Sequence, residues 1–315
     1  MKLPVAVILV NYRSTEETIQ CVRSLRKCSP EPAEIIIVDN ASTAHSADAL
    51  RTGCPGVTLI ECPRNLGFAG GNNLGIRHAM QKPGEYVLLL NNDTTVEPDA
   101  IGQLVDAATH ERHTGVLGAK IRYYDTPGIL WYAGGNVNPA SGSVTHTGLG
   151  ETDSGQFDHP REVDFVTGCC MLISRNVLES IGLLDETFFA YLEDVDFCLR
   201  ARQAGFKIGY EPSAIIYHKV SRSTGWDSPS YLYFNLRNRL LLSRRHSSWP
   251  RSLLFFPCLC WYYLRQFSRL ALRWRDTAGL RSAWYGLVDG LKDFTGENGS
   301  GRLALLPAAN RRVTG

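Results

Sequence analysis

Residues 87–93, Val87-Leu88-Leu89-Leu90-Asn91-Asn92-Asp93, decide how the chain reads. An aliphatic run stops abruptly in two amides and a carboxylate. Near-continuous aliphatic runs belong to strands buried on both faces, the strands of parallel sheets covered by helices. In open α/β sheets the carboxyl ends of such strands are where ligands bind. Asn91, Asn92 and Asp93 are therefore expected at the mouth of a site.

The same pattern recurs on either side. Val5 to Val10 is a buried-type strand ending at Asn11-Tyr12-Arg13. Glu34 to Val38 is another, ending at Asp39-Asn40, and Val57 to Ile60 is a third. Between them, Thr15 to Lys27 has helical spacing at Ile19, Val22 and Leu25, with Ser14 or Thr15 as N-cap and Glu16 or Glu17 in the first turn. A glycine-rich turn precedes a helix through Leu74 to Met80, and Asp99 to His110 reads as one more. Strands alternating with helices predict a doubly wound, mostly parallel sheet. The polar ends at Asn11, Asp39 and Asn91 should meet along one edge.

Further along, residues 115–175 become β-rich and glycine-rich, with Thr152 to Arg161 as an exposed loop. Val177 to Gly182 and Val195 to Ala204 read as helices, Gly205 as a C-cap, and a strand follows through Ile208. After about Trp226 the chain turns to arginine, leucine and aromatics. Two regions are expected, 1–225 and 226–315, the second helical. With 315 residues, 44% hydrophobic and 20% charged, the chain suits a soluble globular protein of one large or two smaller domains.

The net charge of +2 conceals nine arginines and no acidic residue between Asn235 and Arg275. That block suggests an anionic partner surface. The nine cysteines lack the paired spacing of a zinc site and read as reduced thiols of a cytosolic protein. Met1-Lys2-Leu3-Pro4 leads straight into a strand, so no signal peptide is expected.

Three constellations carry chemistry. Asn65-Leu66-Gly67-Phe68-Ala69-Gly70-Gly71-Asn72 links a strand to a helix; its glycines either let backbone N–H groups approach a phosphate or serve a tight turn with positive φ. Asp93 either binds a divalent ion through oxygen or caps a helix or turn. Glu193-Asp194-Val195-Asp196 opens a helix, where adjacent carboxylates can lift one pKa toward that of a general base. Asp196 and Arg200 are spaced to pair instead. His218 follows, structural or functional. A dinucleotide fold wants G-x-G-x-x-G after the first strand, and Asn11-Tyr12-Arg13-Ser14 has no glycine there.

Asn11-Tyr12, Val38-Asp39-Asn40, Asn65-x-Gly67-x-x-Gly70-Gly71-Asn72, Leu90-Asn91-Asn92-Asp93, Gly168, Glu193-Asp194-x-Asp196 and His218 stand in an order that resembles family 2 glycosyltransferases. The bacterial rhamnosyltransferase branch is the most similar, over about residues 4–225. The resemblance implies the GT-A fold, a nucleotide-sugar donor, Mg²⁺ or Mn²⁺, and inversion at the anomeric carbon. Tyr12 would lie against a pyrimidine and Asp39 would hydrogen-bond the base. Asn11, Asn40 and the stretch from Asn65 to Asn72, with Gly67, Gly70 and Gly71, would line the donor pocket. Asn91 and Asn92 would contact the nucleotide sugar, Asp93 would ligate the metal, and His218 would touch the metal or diphosphate. Asp194 would be the base, with Glu193 and Asp196 orienting it or the acceptor. The family's D-x-D motif reads Asn91-Asn92-Asp93 here, so the donor diphosphate would supply much of the metal's coordination.

In the tail, Leu264, Phe267, Ala271 and Trp274 share one helical face, and Arg265, Arg269 and Arg273 another. Leu253 to Leu264 is apolar but shorter than the ~20 residues a membrane span needs, and Pro257 interrupts it. The segment reads as lying in a membrane interface, or as a packed helical subdomain or dimer surface. No nucleic-acid-binding motif accompanies the arginines. The expected protein is an inverting transferase at the cytoplasmic face of the cell membrane. It would move a sugar, plausibly L-rhamnose from dTDP-rhamnose, to a lipid-linked saccharide of a surface polysaccharide; a homo-oligomer is left open. A metal-dependent nucleotidyltransferase would want a glycine-rich, lysine-bearing loop after the first strand. A non-catalytic scaffold would have no need of Glu193-Asp194.

Overall fold

The computed structural model describes residues 2–41, 43–110, 114–138, 143–220, 228–246, 251–268, 270 and 277–292, with the backbone alone for 251–259. The strands are β1 (Leu3–Asn11), β2 (Pro32–Asn40), β3 (Thr58–Cys62), β4 (Tyr86–Asn91), β5 (Thr94–Val96), β6 (Thr114–Tyr123), β7 (Leu130–Tyr132), β8 (Gly135–Asn138), β9 (Ser143–His146), β10 (Arg161–Glu162), β11 (Cys170–Ser174) and β12 (Lys207–His218). The helices are α1 (Thr15–Leu25), α2 (Ala44–Gly53), α3 (Gly67–Ala79), α4 (Ala100–His110), α5 (Arg175–Ile181), α6 (Glu193–Gln203), α7 (Pro229–His246), α8 (Arg251–Ser268) and α9 (Thr277–Leu291).

By contact the chain divides into two units. The first comprises Met1–Val137, Val144–Asp185 and Asp194–Val220; the second comprises Asn138–Ser143, Glu186–Glu193 and Ser221–Gly315. The expected boundary at 225/226 falls within 221–227, outside the described residues.

The first unit is built on a mixed sheet in the order β10-β12-β6-β11-β4-β1-β2-β3, with β5 on β12 and β7 on β6. The run β3-β2-β1-β4 is parallel, as is β12 on β6, whereas β11 lies antiparallel between β4 and β6. Leu88, Leu90, Val5, Val7, Leu9 and Ile37 are buried in its core. Register is what matters for the site. Asn11 stands opposite Asp39 on β2, and Val10 stands opposite Asn91 on β4. The polar ends of three neighbouring strands thus come abreast.

The stretch from Asn65 to Asn72 differs from the expected turn, because α3 already starts at Gly67. Side chains stand in for the missing helical partners. Leu66 N donates to Asn40 Oδ1 at 2.8 Å, and Gly67 N donates to Asn65 Oδ1 at 2.9 Å. The glycines inside α3 are there for packing. A Cβ on Gly71 would lie 2.9 Å from Val10 Cγ1, and one on Gly75 2.5 Å from Ile8 Cγ2. The helix axis therefore rides directly on β1.

Within the second unit, α7 and α9 bury Leu232, Leu236, Leu240 and Ala283 with Tyr263 of α8. Pro257 does not end α8, which continues to Ser268. Arg269, Ala271, Arg273 and Trp274 of the expected amphipathic face lie outside the described residues. The arginine block is not one solvated face. Arg237 is wholly buried, and Arg244 donates to the carbonyls of Gly290 and Leu291 at 2.7 and 2.9 Å. Among the described residues no helix is long and apolar enough to cross a membrane.

Candidate active site

The edge formed by β1, β2 and β4 is tied together by side-chain hydrogen bonds. Asn11 Nδ2 donates to Asp39 Oδ1 at 2.9 Å, and Asn11 Oδ1 accepts from Thr18 Oγ1 at 2.9 Å. Asn92 Nδ2 donates to Thr18 Oγ1 at 2.8 Å and Ser14 Oγ at 2.7 Å. Asn92 is therefore committed to the start of α1. Ser14 accepts from Asn92 but its side chain makes no capping bond to the helix. Tyr12 stands 41% exposed beside this network, with the Arg13 guanidinium 5.1 Å from its ring centroid.

Asn40 serves the next strand end. Its Nδ2 donates to Asn65 Oδ1 at 2.9 Å and to the Gly67 carbonyl at 3.0 Å. Gly67 adopts φ +73°, a conformation that favours glycine. Asn72 Nδ2 donates one turn back to the Phe68 carbonyl at 2.9 Å, and Gly70 is buried in the same helix. The N–H groups of Leu66 and Gly67, two of those expected to approach a phosphate, are thus already used.

Asp93 and His218 meet at the adjoining end of β12. His218 pairs with Thr94 on β5 and Tyr123 on β6. Its Nε2 lies 3.1 Å from Asp93 Oδ1 and 3.4 Å from the amide nitrogen of Asn91. Both Asp93 and His218 are buried. One nitrogen cannot donate to the carboxylate and accept from the amide together. A divalent ion suits this pair, because a carboxylate oxygen and an imidazole lone pair would both point at it. Among the described residues no cluster of three His, Cys, Asp or Glu surrounds the spot.

Two aromatic side chains stand behind His218. The Trp131 ring stands edge-on at 4.6 Å between centroids, and the same indole meets His146 at 4.8 Å. Burial pushes the His146 imidazole down to about 4, keeping it neutral. His146 gives no signal in the sequence, and Trp131 meets His218 because β7 and β12 both pair with β6.

Asp194 is the second residue of α6. Its Oδ2 accepts from Gly168 N at 2.9 Å and its Oδ1 from Val195 N at 2.8 Å. Burial raises its carboxyl above the ordinary range, although those two N–H groups pull the other way. Gly168 has no room for a side chain: a Cβ would lie 2.9 Å from the Phe68 ring. Glu193 precedes it and is buried. Asp196 is turned elsewhere, accepting from Arg200 Nε at 2.8 Å, while Arg200 also donates to the carbonyls of Ile181 and Leu183. The pairing alternative for Asp196 is thus the one the structure contains.

Burial holds the Cys169 thiol well above its ordinary pKa, and the Asp93 carboxylate adds to the effect, so the thiol stays protonated.

The mixed α/β sheet carries the Asp93–His218 pair at the carboxyl edge of its strands, and its fold is of the GT-A class. Residues 6–182 match the model of glycosyl transferase family 2, and the chain belongs to that family. It is a glycosyltransferase. It is 31% identical over 246 residues to the low-salt glycan biosynthesis hexosyltransferase Agl10 of Haloferax volcanii, covering 76% of this chain and 75% of that one. It is 28% identical over 266 residues to the N-acetylglucosaminyl-diphospho-decaprenol L-rhamnosyltransferase of Mycobacterium tuberculosis, covering 78% and 86%. The fold resembles that of the mannosyltransferase PcManGT from Pyrobaculum calidifontis, solved with GDP-Man and Mn²⁺, at TM-score 0.56 and 16% identity over 97% of this chain and 79% of that one.

Proposed function

We propose that the protein is an inverting, metal-dependent rhamnosyltransferase, moving L-rhamnose from dTDP-rhamnose to a lipid-linked saccharide. The observation that carries this reading is the 3.1 Å approach of Asp93 and His218 at the edge where Asp39 and Asn91 come abreast. The rhamnosyltransferase relative, whose acceptor is an N-acetylglucosaminyl-diphospho-decaprenol by name, supports the sugar and the acceptor class.

In this reading Tyr12 stacks on the base and Asp39 accepts a hydrogen bond from it. Asp93 and His218 would hold Mg²⁺ or Mn²⁺, which would supply positive charge against the leaving diphosphate. Asp194 takes the proton from the acceptor hydroxyl. That oxygen forms its bond to the anomeric carbon as the bond to the diphosphate breaks, with inversion and no covalent enzyme intermediate. A carboxylate lifted by burial is a better base than an exposed one. Asp196, locked to Arg200, supports the helix that presents Asp194. The exposed Trp261 and Leu264 of α8 and Trp284 of α9 would rest on the membrane's inner face, where a lipid-linked acceptor is found.

The deciding experiment incubates the full chain with dTDP-L-rhamnose, UDP-glucose or GDP-mannose. The acceptor is a polyprenyl-diphosphate-linked N-acetylglucosamine, with Mg²⁺, Mn²⁺ or chelator. Transfer of rhamnose with inverted configuration, lost with chelator, is expected. Transfer of a different sugar overturns the donor, and retained configuration overturns the role of Asp194.

A further inference from the structure

We propose that Arg237 and Asn238 are positioning residues: by holding the carbonyls of residues 187–191 they set where the chain enters α6 and presents Asp194. This rests on the reading of Asp194 as the base.

The segment they hold has an uncommon backbone. Phe189, Tyr191 and Leu192 have φ of +63°, +69° and +69°, none of them glycine. Left-handed conformations are disfavoured for such side chains, and several in succession persist only where the surroundings over-determine them. Leu192 is followed by Glu193, the first residue of α6, and then by Asp194. The strained segment is joined directly to the first turn of that helix by the Leu192–Glu193 peptide.

The restraint comes from α7, within the second unit. Asn238 Nδ2 lies 2.9, 2.8 and 2.7 Å from the carbonyls of Phe188, Ala190 and Tyr191. Its Oδ1 accepts from Arg237 Nε at 2.9 Å, so the amide is used from both ends and cannot flip. Arg237 Nη2 donates to the carbonyls of Thr187 and Phe188 at 3.0 and 2.7 Å. Arg237 and Asn238 are both wholly buried. Burying a guanidinium and an amide is costly unless they are satisfied, and here carbonyls of one short segment provide much of that satisfaction.

The rest of the helix face agrees. Phe234 stacks on Phe189 at 5.1 Å, and Tyr231 meets Tyr191 edge-on at 5.1 Å. Arg245 Nη2 donates to Thr187 Oγ1 at 2.9 Å and its guanidinium lies 5.1 Å from the Phe188 ring centroid. Positions 231, 234, 238 and 245 share one side of a helix by their three-, four- and seven-residue spacing. That side packs against the 187–191 segment. An arginine-rich tail that reads as surface charge therefore contains a buried clamp.

The test uses the full chain with Asn238→Asp, which keeps the acceptor for Arg237 and loses both donors. Hydrogen–deuterium exchange at 188–193 should quicken roughly tenfold, with β1 unchanged. With dTDP-L-rhamnose, kcat should fall roughly a hundredfold while dTDP affinity in Mn²⁺ stays within about twofold, the signature of a misplaced group rather than a lost pocket. Unchanged exchange at 188–193, exchange raised equally in β1, or an unchanged kcat overturns the proposal. If Asn238→Asp does not fold, Arg245→Ala decides, since that residue is exposed: exchange at 186–189 should quicken, and no change overturns the proposal. Absence of transfer by the unsubstituted chain counts against the donor reading alone, because the exchange measurement needs no donor.

Discussion

His218 Nε2 and Asp93 Oδ1 lie 3.1 Å apart because the far end of β12 is hydrogen-bonded to β5, the strand that directly follows Asp93. The pair depends on a strand pairing and not on a loop. Substituting either residue should leave the sheet intact.

Asp93→Ala and His218→Ala should each weaken dTDP binding in the presence of Mn²⁺ by roughly tenfold or more. Binding measured with chelator should not change. Calorimetric titration of nucleotide with and without the ion checks this, and equal affinities for substituted and native chains in Mn²⁺ reject the pair as ligands.

Asp194→Asn should lower kcat by about 10²–10⁴-fold, the range a general base contributes, with nucleotide affinity retained. The pH dependence has a definite sign. The active form is the carboxylate, so kcat/KM should fall as pH drops through a value above the ordinary Asp value of about 3.9.

Stability carries the same group with the opposite sense. The folded-state pKa of Asp194 is raised, so its contribution is present below the unfolded value and is lost as pH rises through the folded value. As pH rises from the ordinary Asp value of about 3.9, the native chain should lose more thermal stability than Asp194→Asn does. Parallel melting profiles for the two would refute the raised pKa.

Gly168→Ala should cost about 1–3 kcal/mol, because its methyl group would meet the Phe68 ring at 2.9 Å. It should also disturb the N–H that Asp194 accepts. Adding Phe68→Leu should recover part of the melting temperature, and strictly additive losses in that double variant would show that the two side chains do not compete.

Trp261→Ser with Leu264→Ser should reduce sedimentation with anionic phospholipid vesicles and leave the melting temperature nearly unchanged, since both side chains are exposed. Undiminished sedimentation would remove these residues from any membrane contact.

Much of the sheet was legible in its aliphatic runs, and so was the edge where Asn11, Asp39 and Asn91 gather. Local hydrophobic pattern determines that a strand is buried, and the polar residue after it marks the end. The start of α3 was not legible. Glycine usually signals a turn, but Gly71 and Gly75 lie inside a helix and are small because β1 presses on them. Pro257 likewise suggested a break that α8 does not make. The largest gap was the arginine block. Nothing local distinguishes the buried Arg237 from a solvated arginine, since its partners are carbonyls some fifty positions earlier in the chain. For the same reason the grouping of 186–193 with the C-terminal helices could not be read as a boundary. Asp93 and His218 were identified by resemblance, and the pairing of β12 with β5 supplies the reason they meet.

The abreast register of Asn11, Asp39 and Asn91 has a metrical consequence. Neighbouring strands are spaced by about 4.8 Å, so the ends of β2 and β4 stand on the order of 10 Å apart, with β1 between them. Under the proposed roles, one end gauges the base and the other the phosphates. The backbone ladder is then a caliper of fixed opening, which surface loops cannot widen. Evolution of a new donor preference on this scaffold would have to leave the nucleotide's length alone and work on the sugar.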